Sequence, residues 1–321
     1  LDIPGIIALA RRRGVDAIHP GYGFLSENAE FARACEQNGI KFIGPPSHVL
    51  AQMGDKLAAK ATAIACGVPI IPGSTQPLRD ADEAVEKAVS YGFPIILKAA
   101  AGGGGRGMRR CDSEEEVRRE FQLVKNEAKK AFGNEDIFIE KFLVEPKHIE
   151  VQILADEHGN VVHLGERDCS LQRRYQKVVE YAPAWSVPKA TIEALRIDAV
   201  KIAKQVGYIN AGTVEFLVDS STGQHYFIEM NPRIQVEHTV SELITGVDLV
   251  QSQILVAEGY PLDSEEVGIP NQEAITRRGY AIQCRITTED PANNFFPDTG
   301  KLSLYRSSGG FGIRLDGGNI Y

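Results

Sequence analysis

The sequence has no long apolar run, no excess of positive charge and no paired cysteines. No apolar stretch approaches the roughly 18 residues that a membrane-spanning helix needs. Acidic residues outnumber basic residues by 43 to 35, and the net charge of −8 argues against nucleic-acid binding, which requires a basic face. The five cysteines lie far apart without a CxxC motif. This spacing indicates neither a disulfide framework nor a zinc site, and it fits a reducing compartment, the cytoplasm or the mitochondrial matrix.

The composition is that of an ordinary globular protein with two or three domains, since 43% of the 321 residues are hydrophobic. Near the N-terminus, strands and helices alternate, which predicts a small open parallel sheet. From Asp136 onward the pattern changes to strands joined by hairpin turns, with strands at 137–142, 148–156, 161–168, 211–219 and 225–231. We therefore expect a multidomain fold with α/β and α+β parts.

A glycine run at 102–107 is the most conspicuous local motif. It formally contains GxGxxG, but the next helix begins only at Ser113, and Met108 to Cys111 is predicted to be a returning strand. We therefore interpret the run as a strand-loop-strand flap whose bare N–H groups lie over phosphates. Lys98 ends the strand before the flap and is well placed for phosphate oxygens, while Lys56 lies near the start of an Ala-rich helix.

Two acidic residues are predicted to meet on the last hairpin. If Asp219 pairs with His225 across a five-residue turn, Glu215 lies opposite Glu229, with Cβ atoms ~5 Å apart. Like charges so placed repel unless a cation lies between them or one carries a proton. With Asn231 they form a set of hard oxygen donors that suits Mg²⁺ or Mn²⁺ held with substrate phosphates. The same alternation predicts that Tyr226, Ile228 and Met230 face the core.

The segment after this hairpin carries an arginine, a glutamine and a glutamate at alternate positions. Alternation places Arg233, Gln235 and Glu237 on one side of an extended segment. Arginine presents a planar fork for a small oxyanion, and the glutamate beside it can take a proton. A plain surface ion pair is the alternative. Elsewhere in the chain, Arg173, Arg174 and Lys177 concentrate positive charge within an acidic protein, which favours attraction of small anions.

Five motifs together resemble the biotin carboxylase module of the biotin-dependent carboxylases, which are ATP-grasp enzymes: HPGYGFLSEN at 19–28, MGDK at 53–56, GGGGRGM at 102–108, ERDCSLQRR at 166–174 and FIEMNPRIQVEH at 227–238. Within that family, segments 284–291, 297–300 and 314–318 are most similar to the pyruvate carboxylases. The resemblance implies an ATP-grasp domain at 55–262, with a mobile glycine-rich lid at about 70–142. It also implies a truncated Rossmann-like N-terminal domain at 1–54 and a truncated biotin carboxylase C-terminal domain at 276–321.

The resemblance also implies roles for individual residues. Glu237 would be the general base for bicarbonate, and Arg285 would stabilise the biotin enolate, with Tyr22 near the biotin pocket. Bicarbonate would be bound by Lys177, Arg233, Gln235 and Val236. Magnesium would be held by Glu215, Glu229 and Asn231. ATP would contact Lys56, Lys98, Gly103, Gly104, Gly105, Met108, Glu140, Lys141, Leu143, His148, Gln172, Tyr175 and Leu217. The family usually has His at position 175, and Tyr lacks a nitrogen that titrates near pH 7.

By the same resemblance, bicarbonate attacks the γ-phosphoryl group of ATP to give carboxyphosphate, and biotin on a carrier domain outside this segment is carboxylated at N1′. The implied partners are bicarbonate, a biotinylated carrier domain, a carboxyltransferase domain and further copies of the chain, with neither nucleic acid nor a membrane.

Several alternatives remain open at this stage. The acyl acceptor would be pyruvate, acetyl-CoA or propionyl-CoA. The chain would otherwise be another ATP-grasp ligase of the carbamoyl-phosphate or peptide type, or an inactive nucleotide-binding assembly domain. The hypothesis that the chain is a dehydrogenase rests only on the formal match to GxGxxG.

Overall fold

The computed structural model describes residues 1–99, 107–132, 135–174 and 176–317, which divide into a large unit, Leu1–Cys284, and a small one, Arg285–Tyr321. Of the residues predicted to bind ATP, Gly103, Gly104, Gly105 and Tyr175 lie outside the described residues.

The N-terminal part of the large unit is a small α/β layer, as the sequence predicts. Its two strands pair in parallel, and the rings of Phe31 and Phe42 meet edge to face at 6.0 Å in its core. Gly14 ends the first helix with a φ of 63°, a left-handed conformation that favours glycine. The elements of this layer are α1 (Ile3–Arg13), β1 (Ala17–Ile18), α2 (Ala29–Gln37), β2 (Lys41–Phe42) and α3 (Ser47–Gly54). The next helix, α4 (Lys56–Ala65), instead packs Ala59 and Ala63 into the core of the six-stranded sheet described below.

Next comes a three-stranded antiparallel sheet covered by two helices. Its elements are α5 (Ala81–Tyr91), β3 (Ile95–Ala99), β4 (Met108–Cys111), α6 (Glu114–Phe132) and β5 (Ile137–Lys141). The strand order is β4-β3-β5, and alternate residues of β3, such as Ile95 and Leu97, are fully buried against the helices. The predicted return of the chain after the glycine run is confirmed, because β3 pairs with β4 and the Ala99 N–H donates to the Gly107 carbonyl at 2.8 Å.

The rest of the large unit is built on a six-stranded antiparallel sheet with the order β10-β9-β6-β7-β8-β11. Its elements are β6 (Lys147–Ala155), β7 (Val161–Arg173), β8 (Gln176–Ala182), α7 (Lys189–Gln205), β9 (Asn210–Val218), β10 (His225–Asn231), α8 (His238–Thr245), α9 (Leu249–Ala257) and β11 (Ala281–Cys284). The sequence analysis did not predict β8.

The two faces of this sheet are covered by different elements. Ile149, Val151 and Ile153 of β6 pack into the same core as Leu195 of α7. The next apolar residue of the opposite face, Leu154, packs with Leu249 of α9. Since successive strand residues point to opposite faces, the side chains of Glu150 and Gln152 are directed away from α7.

A bulge in β10 corrects part of the predicted hairpin. Glu215 does lie opposite Glu229, as predicted, but His225 pairs with Val218 and not with Asp219. The register shifts between Phe227 and Glu229, because Ile228 is an extra residue on the β10 side. The predicted apolar face of Tyr226, Ile228 and Met230 is therefore wrong in two of its three members. Phe227 and Met230 enter the core, while Tyr226 and Ile228 are only half-buried.

No single helix in the described part of the chain is long and apolar enough to cross a membrane. The pair α8 and α9 satisfies the criteria of length and composition only when the two are taken together, across a bend of 94°.

The small unit contains two short paired strands, β12 (Glu289–Asp290) and β13 (Phe296–Pro297), with a 3₁₀ turn at Pro291–Asn293 between them. Arg314 and Asp316 form an ion pair of 2.8 Å near its end.

Candidate active site

Three carboxylates converge on one lysine at the face of the six-stranded sheet that is turned away from α7. Lys177 of β8 donates to Glu237 at 2.8 Å and to Glu215 of β9 at 2.9 Å, and it also contacts Glu150 of β6. Glu237 is the residue immediately before α8, and its side chain extends to this point. All three carboxylates are buried. The structure therefore brings together the predicted proton acceptor, a predicted metal ligand and a predicted anion-binding lysine.

The charge on Lys177 is strongly stabilised. Burial disfavours an ammonium group, but attraction to Glu150, Glu215 and Glu237 outweighs that cost and raises the pKa of Lys177 well above its usual value. Glu215 shows the complementary effect, because His148 and Lys177 lower the pKa of this carboxyl despite its burial. The lysine is thus charged at neutral pH and is directed into a group of acids, not toward solvent.

His148 forms the second positive contact of Glu215. Its Nε2 lies 2.7 Å from Glu215, and the side chain of Gln172 lies 3.0 Å from its Nδ1. Burial opposes protonation of the ring, yet Glu150 and Glu215 raise the pKa of His148 to about 9. His148 and Gln172, both predicted to contact ATP, therefore lie side by side next to the predicted metal ligand.

Glu229 is the one carboxylate of this region without a hydrogen-bond or ion-pair partner among the described residues, and it lies opposite Glu215 in the hairpin. Partial burial and the charge of Glu215 raise the pKa of Glu229. Lys56, the first residue of α4, acts in the opposite direction through its charge. The repulsion expected from the sequence is therefore present.

The donor set around Glu229 fits a divalent cation. Asn231 follows on the same strand, where its Nδ2 donates to Glu215 at 2.7 Å and its Oδ1 accepts from Arg233 at 3.2 Å. Two carboxylates and one side-chain amide therefore occupy neighbouring positions of the hairpin. Hard oxygen donors of this kind suit Mg²⁺ or Mn²⁺. His148, Glu150 and Glu215 form a second group whose ligand atoms all lie within 4.8 Å of one another.

The segment from Pro232 to Glu237 is not extended, which corrects the prediction. The Arg233 N–H donates to the Asn231 carbonyl, and the chain turns at Val236 into α8. Gln235 and Glu237 nevertheless reach the same cluster, since the Gln235 amide donates to Glu215 at 2.9 Å. The Arg233 guanidinium lies to the side, where it pairs with Glu27 at 2.9 Å and donates to the Asn231 side chain at 3.2 Å. Val236 is half-buried at the turn.

A second ionic group links the three-stranded sheet to α4. Glu140 of β5 forms ion pairs with Lys98 of β3 and with Lys60 of α4, the latter at 2.9 Å. These lysines outweigh the effect of burial and lower the pKa of Glu140. The Lys141 ammonium is bound by the carbonyls of Gly92 and Phe93 at 2.8 and 2.9 Å.

The remaining predicted contact residues lie on several different elements. Leu217 pairs with His148 across β6 and β9. Met108 pairs with Lys98 across β3 and β4. Leu143 is buried just after β5, and Tyr22 is exposed in the loop before α2. Arg285 is the first residue of the small unit.

Sequence reasoning missed Glu150, Gln152, Arg167 and Lys60 as members of these groups. Arg167 is fully buried and donates to Glu150, Gln152 and Gln235. The alternation of apolar and polar residues in Lys147–Ala155 was a usable signal for the first two, because it marks a polar strand face.

Two family sequence profiles match the chain. The profile described as "Carbamoyl-phosphate synthase L chain, ATP binding domain" matches residues 55–265. The profile described as "Biotin carboxylase, N-terminal domain" matches residues 1–50.

Among curated relatives, pyruvate carboxylase of Bacillus subtilis is 57% identical over 321 residues, which is 100% of this chain and 28% of the relative. The mitochondrial pyruvate carboxylase of Rattus norvegicus is also 57% identical over 321 residues, which is 100% of this chain and 27% of the relative. The chain thus spans little more than a quarter of the length of these relatives.

This chain spans a larger share of two solved structures of similar fold. The biotin carboxylase subunit of pyruvate carboxylase is 52% identical, with a TM-score of 0.82 over 98% of this chain and 68% of that chain. The biotin carboxylase domain dimer of Hydrogenobacter thermophilus 2-oxoglutarate carboxylase, in complex with MgADP, ADP and bicarbonate, is 51% identical. Its TM-score is 0.82 over 97% of this chain and 67% of that chain. These neighbours confirm the predicted ATP-grasp fold class.

Proposed function

The chain belongs to the biotin carboxylase family of ATP-grasp enzymes, and on this premise we propose that it catalyses the MgATP-dependent carboxylation of biotin at N1′ by bicarbonate. One observation carries the proposal: the Lys177 ammonium lies 2.8 Å from Glu237 and 2.9 Å from Glu215. A proton acceptor and a metal-ligand candidate thus share one cation, which is the arrangement needed to deprotonate an anion next to a bound triphosphate.

In the proposed reaction Glu237 accepts the proton of bicarbonate, and the resulting dianion attacks the γ-phosphoryl group of ATP, which gives carboxyphosphate as the bond to the leaving group ADP breaks. Carboxyphosphate then breaks down to CO₂ and phosphate, the phosphate takes the N1′ proton of biotin, and N1′ attacks CO₂. Lys177, Arg233, Gln235 and the backbone at Val236 hold the anion by charge and by donated hydrogen bonds. The Lys177 ammonium is directed into the cluster, and the Gln235 amide nitrogen already faces Glu215. Phosphoryl transfer needs mainly positioning and electrostatic stabilisation, which these groups supply.

Glu215, Glu229 and Asn231 are the residues that would hold Mg²⁺ or Mn²⁺. When bound, the cation neutralises charge on the phosphate oxygens of the nucleotide. The raised pKa of Glu229 supports this assignment, because a carboxylate held opposite another one is stabilised by a cation between them. The 2-oxoglutarate carboxylase neighbour was solved with MgADP and bicarbonate, which are a product and a substrate of the reaction that we propose here.

We assign ATP binding to two groups of residues. Lys56 and Lys98 would contact the phosphates under a lid that includes Gly103, Gly104, Gly105 and Met108. The base and ribose would be bound between the other residues, Glu140, Lys141, Leu143, His148, Gln172, Tyr175 and Leu217. Biotin would be carried by a separate biotinylated domain, and Tyr22 would lie near its pocket. Arg285 would stabilise the biotin enolate.

Substitution of the general base tests this proposal. In Glu237→Gln, the kcat for bicarbonate-dependent ATP cleavage is expected to fall at least about 100-fold, since general-base catalysis contributes roughly that much. ATP binding, measured by fluorescent-nucleotide displacement, is expected to change little. Glu166→Gln is the matched control, because Glu166 is equally buried but pairs with Arg196, outside the cluster. Full bicarbonate-dependent turnover in Glu237→Gln would contradict the assignment.

We propose pyruvate as the final acyl acceptor of the complete enzyme, because the relatives that match the whole chain at 57% identity are pyruvate carboxylases. A second candidate is 2-oxoglutarate, since the identity to that carboxylase's domain is 51%, against 52% for the pyruvate carboxylase subunit. Incubation of the full-length protein with labelled bicarbonate, MgATP and either pyruvate, 2-oxoglutarate, acetyl-CoA or propionyl-CoA distinguishes them. Label fixed only with 2-oxoglutarate or an acyl-CoA would refute pyruvate.

The proposed partners are a biotinylated carrier domain, a carboxyltransferase domain and a second copy of the chain. The 2-oxoglutarate carboxylase neighbour is described as a dimer, which supports self-association. We further propose an intracellular location, in the cytoplasm or the mitochondrial matrix, because the rat relative is named as mitochondrial and the bacterial relative is not.

A further inference from the structure

Arg167 is a fully buried cation behind the candidate active site, and the proposed reaction gives it no direct part. It lies on β7 and is among the largest completely buried side chains of the described residues. Its guanidinium group donates to acceptors from four segments of the chain: Glu150 at 3.2 and 3.1 Å, Gln152 at 2.6 Å, Thr213 at 3.0 Å, Gln235 at 2.8 Å and Ser241 at 3.1 Å. A buried charge with this many partners is fixed in position.

The first consequence concerns the direction of the Gln235 amide. Arginine can only donate hydrogen bonds, so it selects the oxygen of an amide and never its nitrogen. Arg167 binds the Gln235 Oε1, and the Nε2 of the same amide therefore faces the cluster, where it donates to Glu215 at 2.9 Å. The buried arginine thus keeps a hydrogen-bond donor directed at the place where we propose that the anion binds.

The second consequence concerns Lys177. Arg167 holds Oε2 of Glu150 with two N–H groups, and Oε1 of the same carboxylate contacts the Lys177 ammonium. Glu150 is completely buried, so its position depends on its cationic partners, which are Arg167, Lys177 and, at 3.5 Å, His148. One guanidinium group therefore orients Gln235 directly and Lys177 through Glu150.

We propose that Arg167 is a positioning residue for the bicarbonate site: it sets the direction of Gln235 and the place of Lys177 without touching the anion. This inference rests on the proposed function. It makes a specific claim, namely that loss of the guanidinium geometry weakens the use of bicarbonate and leaves the use of ATP nearly unchanged.

The variant Arg167→Lys tests the claim in the full-length protein. Lysine keeps the positive charge, but its single ammonium cannot reproduce the planar fork that reaches Glu150, Gln152 and Gln235 together. We expect the KM for bicarbonate in bicarbonate-dependent ATP cleavage to rise about tenfold, and the KM for ATP to change less than twofold. KM is the decisive quantity, because it does not depend on how much of the variant is folded.

Arg196→Lys is the matched control. Arg196 is also buried and forms a charged contact with a buried carboxylate, since its Nε donates to Glu166 at 2.8 Å. Its partners Glu166 and Glu193 do not belong to the cluster around Lys177. We expect Arg196→Lys to lower thermal stability while both KM values stay within twofold of the wild type.

A second variant keeps the inference testable if Arg167→Lys does not fold. Gln152→Met removes the acceptor of the shortest Arg167 hydrogen bond, and Gln152 itself contacts none of the proposed bicarbonate ligands. We expect the KM for bicarbonate to rise about threefold, because Arg167 loses one of the acceptors that hold its guanidinium group.

The outcomes separate this inference from the function on which it rests. A wild-type protein without bicarbonate-dependent ATP cleavage overturns the proposed function and the inference with it. A wild type that depends on bicarbonate, together with an unchanged KM for bicarbonate in Arg167→Lys or, where that variant is insoluble, in Gln152→Met, overturns the inference alone. Equal rises in the KM for bicarbonate and for ATP also overturn it.

Discussion

Replacement of Lys177 by methionine is the most direct test of the electrostatics of the cluster. The ammonium lies 2.8 and 2.9 Å from two buried carboxylates and also contacts a third. At an effective dielectric constant of about 20, each such contact contributes roughly 6 kcal/mol of attraction before the cost of dehydration. After dehydration is included, removal of one partner of a buried ion pair costs about 3–5 kcal/mol, because the remaining charges are left uncompensated. For a domain of this size, that corresponds to a fall in Tm on the order of 10 °C.

The pH dependence of this deficit has a definite sign. In the wild type, the lowered pKa of Glu215 means that its stabilising contribution is present above the unfolded value of about 4.3 and is lost only below it. Without Lys177, the buried carboxylates repel one another, and the pKa of Glu215 rises in the folded state because Lys177 no longer lowers it. The variant then loses stability as the pH increases above about 4.3, so its deficit is smaller at pH 5 than at pH 8.

Thermal unfolding of the two proteins between pH 5 and pH 8 measures both quantities. Lys60→Met is the control, since Lys60 also pairs with a carboxylate at 2.9 Å, but its side chain is 35% exposed and Glu140 retains Lys98. We expect the control to lose less than about 3 °C, with no trend in pH. A Lys177→Met variant that unfolds within 2 °C of the wild type at pH 8, or whose deficit shrinks as the pH rises, would refute the reasoning.

Two further predictions concern His148 and the hairpin bulge. Because the pKa of His148 is raised to about 9, its charge stabilises the fold fully below pH 6.5, and this contribution is lost as the pH rises through 9. The difference in Tm between the wild type and His148→Gln should therefore shrink from pH 6 to pH 10; a constant difference would contradict the assigned charge. The bulge predicts that Phe227→Ala costs about 3–5 kcal/mol, whereas Ile228→Ala costs much less, since only Phe227 is in the core. Equal losses in urea unfolding would argue for the unbulged register.

The hairpin shows which part of the site could be predicted from the sequence. Facing glutamates follow from the two-residue period of paired strands, and Glu215 does lie opposite Glu229. The predicted turn was displaced by one residue, and the extra residue Ile228 restores the register before Glu229 is reached. Periodicity assumes an unbroken ladder, so it gave the correct carboxylate pair and the wrong apolar face.

Lys177 illustrates what a local pattern cannot provide. Beside Arg173 and Arg174 it resembles one member of a basic surface cluster. Its three carboxylate partners are 27, 38 and 60 residues away along the chain. Contacts of that separation are set by the order of strands in the sheet, which the spacing of residues within one strand does not determine.

The buried polar face of β6 follows from the same non-local order. Alternation within Lys147–Ala155 separates Glu150 and Gln152 from the apolar positions, and a half-buried strand would expose them to solvent. The chain that covers this face arrives much later, with Gln235, Glu237 and α8. Burial of charge is costly, so a face of this kind persists only when every charge finds a partner.

The charges of the cluster are matched before any substrate binds. Three buried carboxylates, Glu150, Glu215 and Glu237, face three cations, Arg167, Lys177 and His148, and the raised pKa of His148 keeps it protonated at neutral pH. Glu229 lies outside this balance, and its raised pKa reflects burial and the nearby charge of Glu215. An incoming divalent cation would therefore meet one carboxylate that has no competing ammonium or guanidinium contact among the described residues. Glu237 is not among the proposed metal ligands, so its contact with Lys177 remains available to hold the proposed general base when a cation binds at Glu229.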